Sequence, residues 1–266
     1  MLSDVISATF KPQFVGFRHH FPLIFPLTCA TIDIALRRID TMRNVVNAIA
    51  GRRRTALFSV LLAWCVALIA FRVVRTESSY FSFLIWNLFL ACIPLVMSRV
   101  LLVAHNKRTS DIAQLGLLAV WLLFLPNAPY LFTDLVHLHP STPLLYWYDM
   151  MLLLSCAGTG LLLGYCSLFD IHAITTERFG YKFGWAAVVI ALLCTGYGIY
   201  LGRVQRWNSW DVVTNPSALF SNIADNLFNP LQHLHVYAMS GLFSIALLLG
   251  YAALRSTMGM MERVAE

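Results

Sequence analysis

Asp134 stands three residues before His137 in the run Thr133-Asp134-Leu135-Val136-His137-Leu138-His139. On a helical turn, residues three apart share a face. A carboxylate beside an imidazole, which titrates near neutrality, is suited to general acid/base catalysis. The same oxygen and nitrogen donors, joined by Asp149, His139 or Asp211, would suit a metal ion. A third role is a hydrogen-bonded pair with no turnover. Asp134, His137, Asp149 and Asp211 are therefore candidate catalytic residues, and the residue types leave all three roles open.

A second cluster follows in Arg203-Val204-Gln205-Arg206-Trp207-Asn208-Ser209-Trp210-Asp211. Guanidinium groups hold phosphate or carboxylate in forked geometry. Arg203 and Arg206, with Asn127, Tyr130, Trp207 and Asn208, are thus candidate substrate-binding residues for an anion, for which a lipid headgroup or an isoprenoid phosphate is a natural choice. Arginine and tryptophan at a helix end also act as interfacial anchors, and Asn127 and Asn208 also suit turns beside Pro129 and Ser209. Asp170 and His172, near Glu177 and Arg178, read as an ordinary solvated helix end, and His233 and His235 read as turn residues. HExxH, GxSxG, Walker A and Rossmann patterns are absent. The sequence specifies no metal and no cofactor.

These residues must be positioned by elements that live in lipid. Of 266 residues, 59% are hydrophobic and 12% charged, against roughly 25% charged in soluble domains. The apolar residues come in blocks of the length that spans a ~30 Å hydrocarbon core. The candidate spans are 55–73, 79–98, 112–126, 149–169, 184–201 and 235–254. This predicts an all-α integral membrane bundle of about six transmembrane helices, with a basic segment over 1–54, a transmembrane domain over 55–256 and a short tail over 257–266.

Fifteen of the nineteen basic residues fall in the N-terminal segment, in the loops after spans 2 and 4, and at the C-terminus; only Arg72, Arg75, Arg203 and Arg206 fall on the other side. Cytoplasmic loops carry the excess of Lys and Arg. Both termini are therefore expected in the cytoplasm, and both polar clusters beyond the far leaflet. The net charge of +6 is a topology signal and suits attraction to anionic lipid; nothing in its distribution points to a nucleic-acid partner.

Several local features carry their own expectations. Pro126 and Pro129 should stop span 3 near the outer interface. Gly160 with Gly164, and Gly198 with Gly202, have the spacing that lets helix backbones approach closely, which predicts a tight contact involving spans 4 and 5. Ile32, Leu36, Ile39, Met42, Val46 and Ile49 outline an amphipathic helix lying on the inner surface, although translation could also begin downstream, for instance at Met42. The six cysteines read as small buried hydrophobes. No cleavable signal peptide is evident.

Pro126-Asn127-Ala128-Pro129-Tyr130, Thr133-Asp134-Leu135, Trp147-Tyr148-Asp149, Gly198-Ile199-Tyr200-Leu201-Gly202-Arg203 and Arg206-Trp207-Asn208-Ser209-Trp210-Asp211 together resemble the bacterial multi-pass membrane family known as domain of unknown function 1361. The resemblance covers roughly 57–254 and implies a cytoplasmic-membrane location and this fold; it implies no activity. Three functions compete. One is an enzyme at the outer face acting on an anionic lipid-linked substrate, and a second is a non-catalytic scaffold or assembly factor using the outer motifs for docking. A transporter is disfavoured, because transport needs polar groups near the midplane and Asn87 is the main interior polar residue of span 2.

Overall fold

The computed structural model describes residues 54–139 and 142–264, with side chains to residue 257. The chain divides into units Met1–Ala56 and Leu57–Glu266, and every site below belongs to the second. The amphipathic segment expected within 1–54 lies outside the described residues, apart from Arg54.

Six segments are long and apolar enough to cross a membrane. They are α1 (Arg54–Thr76), α2 (Phe83–Asn106), the composite Asp111–His137, α5 (Pro143–Phe179), α6 (Tyr181–Arg203) and α9 (Leu234–Val264), the last through Thr257. The composite comprises α3 (Asp111–Phe124), α4 (Asn127–Thr133) and a 3-10 turn (Asp134–His137). Two further helices, α7 (Asp211–Thr214) and α8 (Pro216–Phe228), lie between α6 and α9. Among the described residues all regular structure is helical.

Each outer helix buries one stripe. On α1 the buried residues are Phe58, Cys65 and Ile69, and on α2 they include Leu84, Leu88, Ala91 and Ser98. These spacings place them on one helical face. The opposite faces expose Val60, Trp64, Phe71, Ile85, Phe89 and Val96, as suits helices whose outer solvent is hydrocarbon. Helix α5 differs, with buried residues over more than half of its circumference from Leu152 to Ile174 and a narrower exposed face at Met151, Leu154 and Leu162. It is the hub, packing against α2, α4 and α6, while α9 packs on α6 and α3 on α2. At 37 residues it is about 55 Å long, well beyond the expected 149–169.

Helices α5 and α6 are joined by the single residue Gly180, at φ 94°. A side chain in that conformation would be strained, and this is how an antiparallel reversal fits into one residue. The reversal carries Asp170 and His172 into the bundle. Both are buried, with Asp170 accepting from Ser98 Oγ at 2.9 Å and lying 3.0 Å from Arg99 Nε, and His172 Nδ1 2.7 Å from the Tyr251 hydroxyl. The expected solvated helix end is therefore overturned, because α5 continues to Phe179, with α2 covering Asp170 and α6 and α9 enclosing His172.

The prolines also act differently from expectation. Helix α3 ends at Phe124 but the chain resumes as α4 at Asn127, so the helix is broken rather than stopped. Fourteen residues of α3 span about 21 Å, short of a ~30 Å core, which places the break at membrane depth. Backbone at that depth must find partners inside the protein. It does so at carbonyls that the break leaves without a helical partner. Asn127 Nδ2 donates to Phe124 O at 3.0 Å and Ser209 Oγ donates to Leu123 O at 3.2 Å.

The paired glycines of α5 and α6 accommodate this broken segment and not each other. A Cβ on Gly160 would meet Ala128 O, and one on Gly164 would lie 3.1 Å from Ala128 Cβ; one on Gly198 would lie 2.5 Å from Pro126 Cγ. The close approach expected of spans 4 and 5 thus has α4 as its partner.

Candidate functional site

The broken helix delivers Asp134 to the end of the bundle where α2, α5 and α9 begin. Asp134 is 1% exposed. Its Oδ2 accepts from Asn87 Nδ2 at 2.9 Å, and its Oδ1 accepts from Arg203 Nη2 at 2.5 Å. A carboxylate so deeply buried persists only when paired and hydrogen-bonded; here α2 and α6 each supply one partner.

Arg203 is held on three sides. Besides Asp134, its Nε and Nη2 donate to Thr133 Oγ1 at 2.9 and 2.6 Å, and its guanidinium lies over the Tyr130 ring at 4.4 Å. Thr133 Oγ1 in turn donates to Tyr130 O at 2.6 Å. Gly202, against which Tyr130 packs, leaves room for that ring. Among the described residues nothing pairs with Arg203 Nη1.

His137 completes the turn. Its Nδ1 is 3.2 Å from Asp134 O and 3.9 Å from Asp134 Oδ1, and Phe83 lies against the ring at 5.0 Å. Residues three apart eclipse on a 3-10 turn, which brings the imidazole over its own acid. With Nδ1 directed at Asp134, Nε2 is left without a protein partner among the described residues.

These groups face a cavity of about 420 Å³, within the usual range for small-molecule sites. Its walls come from α2 (Trp86, Asn87, Leu90), the broken segment (Leu123, Pro126, Asn127, Tyr130, Asp134, His137), α6 (Gly198, Arg203), the loop Trp207–Trp210, and α8 (Leu219, Ile223). Asn127 Nδ2 also donates to Ser209 Oγ at 2.9 Å, fastening the loop to the helix break. The structure thus brings together Asp134, His137, Asn127, Tyr130, Arg203, Trp207 and Asn208.

Three candidates lie elsewhere. Asp149 is in a forked pair with Arg72, at 2.5 Å to Nε and 2.9 Å to Nη2, tying α5 to α1 away from the cavity. Asp211 accepts from Asn208 N at 2.7 Å and Thr214 Oγ1 at 3.0 Å, which shapes the turn that presents Asn208. Arg206 is exposed at φ 61° on the loop and does not line the cavity. Among the described residues no three His, Cys, Asp or Glu side chains gather as metal ligands, and the described cysteines are free thiols.

Two contributors were not assigned to the site by sequence. Asn87 had a legible signal as a lone amide in an apolar span, a feature that marks function by default. Helix α8 was missed because apolar residues occupy two of its faces, although Pro216 at its first turn is a start signal. Its carboxyl end is fastened by Asp225, which accepts from Asn229 Nδ2 at 2.7 Å and pairs with His233 at 2.9 Å. These two partners hold the Asp225 carboxyl below its ordinary pKa.

Residues 86–249 match the family described as "Protein of unknown function (DUF1361)". The chain belongs to the DUF1361 family. The DUF1361 match includes every cavity-lining residue but Phe83 and leaves α1, with Arg72, outside. No curated protein and no solved structure matches the chain.

Proposed function

We propose that this DUF1361 protein binds the anionic head group of a membrane lipid or lipid-linked compound in the cavity beside Arg203, on the extracytoplasmic face. The observation that carries the reading is Arg203 itself, fixed by Asp134, Thr133 and the Tyr130 ring with Nη1 left unclaimed. A preorganised guanidinium loses little freedom on taking a phosphate or carboxylate oxygen. Asn208 and the Trp207 indole add neutral donors around the same space, while both amide hydrogens of Asn127 are spent on Phe124 O and Ser209 Oγ, holding the loop in place. Placement on the extracytoplasmic face follows from the basic residues, which concentrate at the opposite end.

Any chemistry on the bound group would fall to His137, whose Nε2 is open while Asp134 orients the ring. Asp149 and Asp211 would then support Arg72 and the loop turn. A docking role without turnover is the second reading, favoured by the engagement of both Asp134 oxygens within the protein.

The test is equilibrium binding of short-chain phosphatidylglycerol and phosphatidylcholine to the full-length protein in detergent. A preference of at least tenfold for the anionic lipid is expected, reduced to near parity in Arg203→Gln and retained in His137→Ala. Wild-type protein with no preference would end the proposal. For the docking role, a partner that co-purifies with wild type and is lost on Trp207→Ala would be the corresponding result.

A further inference from the structure

Part of the cavity wall has the composition of a lipid-facing surface. Trp86 of α2 and Trp210 of the loop meet there edge to face, with ring centres 6.2 Å apart, and both are exposed. Trp86 also packs on Phe89 at 5.3 Å, and Phe89 lies with Ile85 and Val96 on the outward face of a membrane span. Leu90, next in sequence, is buried and lines the cavity. One helix therefore passes from lipid-facing to cavity-lining within a single residue step, and the two surfaces are contiguous at Trp86.

The other side of that boundary is α8. Leu219 and Ile223 line the cavity, while Phe220, Leu227 and Phe228 point outward, Phe228 at 82% exposure. From Asp211 to Leu234 there is no lysine or arginine; the one charge on α8, Asp225, sits at its carboxyl end, tied to Asn229 and His233. An exposed apolar face of this kind marks a membrane or protein contact, and a short helix with such a face lies in the interfacial plane. Its continuity decides for lipid: Leu227 borders a crevice shared with Leu193 of α6 and Tyr237 of α9, both exposed on the flanks of membrane spans. Asn226 holds α8 at that level, donating to the Tyr197 hydroxyl at 3.0 Å and accepting from Tyr237 at 2.8 Å.

We infer that the ligand is an anionic membrane lipid that reaches the cavity sideways, between α2 and α8, with its acyl chain passing Trp86 and Trp210 while its head group lies at Arg203. Helix α8 lies in the same leaflet as the wall of this passage. The inference rests on the head-group reading above and adds the route and the tail.

The test places p-benzoylphenylalanine at Trp86 or at Phe220 in the full-length protein, reconstituted in vesicles of equal parts phosphatidylglycerol and phosphatidylcholine, with crosslinked lipid read by intact mass. Crosslinks are expected at both positions, with phosphatidylglycerol favoured several-fold at 86 and little preference at 220. Arg203→Gln should abolish the preference at 86 and leave crosslinking at 220 unchanged. Lipid at 86 with no preference in either background would retain the sideways passage and sink the head-group reading. Absence of lipid adducts at 86 in a protein that still prefers phosphatidylglycerol in detergent would overturn the passage alone. Absence at 220 would remove α8 from the leaflet.

Discussion

Asp134 accepts one hydrogen bond from α2 and one from α6 while lying almost wholly out of solvent, so its two partners are unequal in consequence. Asn87 supplies a neutral donor, and Arg203 supplies the countercharge. Removing one member of a buried ion pair leaves the other uncompensated and costs about 3–5 kcal/mol, whereas replacing both members by well-packed apolar groups is often nearly neutral. Arg203→Ala should therefore lower the unfolding free energy in detergent by about 3 kcal/mol. Asn87→Leu, which removes one hydrogen bond to a charged group, should lower it by about 1.5 kcal/mol. The Arg203→Ala/Asp134→Leu double variant should recover most of the single-variant loss. Thermal unfolding followed by intrinsic fluorescence reads all three, and additive losses in the double variant would contradict the pairing.

Helix α4 owes its place to what α5 and α6 lack. Gly160 and Gly198 have no side chain where Ala128 and Pro126 press against them, whereas a Cβ on Gly158, two residues from Gly160 on the same helix, would meet nothing within 4 Å. The two positions on α5 form a matched test. Gly158→Ala removes a helix-disfavouring residue and should stabilise the protein by up to about 1 kcal/mol. Gly160→Ala must displace α4 and with it Asp134 and Tyr130, so it should lower the melting temperature and weaken anionic lipid binding together. Equal behaviour of the two variants would mean that α4 is not seated as described. The sequence announced the glycine spacing but not the partner, because a small-residue pair states that something comes close and not which backbone it is. It likewise announced the prolines but not the resumption of helix at Asn127, since the carbonyls freed at Leu123 and Phe124 are satisfied by Asn127 and by Ser209, 86 residues beyond Leu123.

For the whole molecule, the positions of the cavity and of the basic loops define opposite ends. Lys107 and Arg108 follow α2 at one end, and Asn208 lies in the loop after α6 at the other. If the basic end is cytoplasmic, a membrane-impermeant maleimide applied to intact cells should label Asn208→Cys and spare Lys107→Cys, with the reverse pattern in inverted vesicles. The comparison is made against the wild-type protein, whose own thiols set the background. Labelling of Lys107→Cys from outside would invert the orientation and move the proposed lipid site to the other leaflet.

Composition and block length alone determined that the chain is a bundle of six membrane-crossing helices, because the free energy of burying some twenty apolar residues in hydrocarbon depends on their number and hardly on their neighbours. The Asp134 and His137 pairing was similarly within reach, since both residues sit on one turn. What only the tertiary structure decided was the assignment of the remaining polar groups. Asp149, Asp211 and Arg206 share their residue types with Asp134 and Arg203. The packing of α1 gave Asp149 to Arg72, the loop turn took Asp211, and the broken helix between α5 and α6 brought Asp134 to Arg203. Buried charges must find partners wherever the backbone carries them, and that destination depends on contacts far apart in sequence.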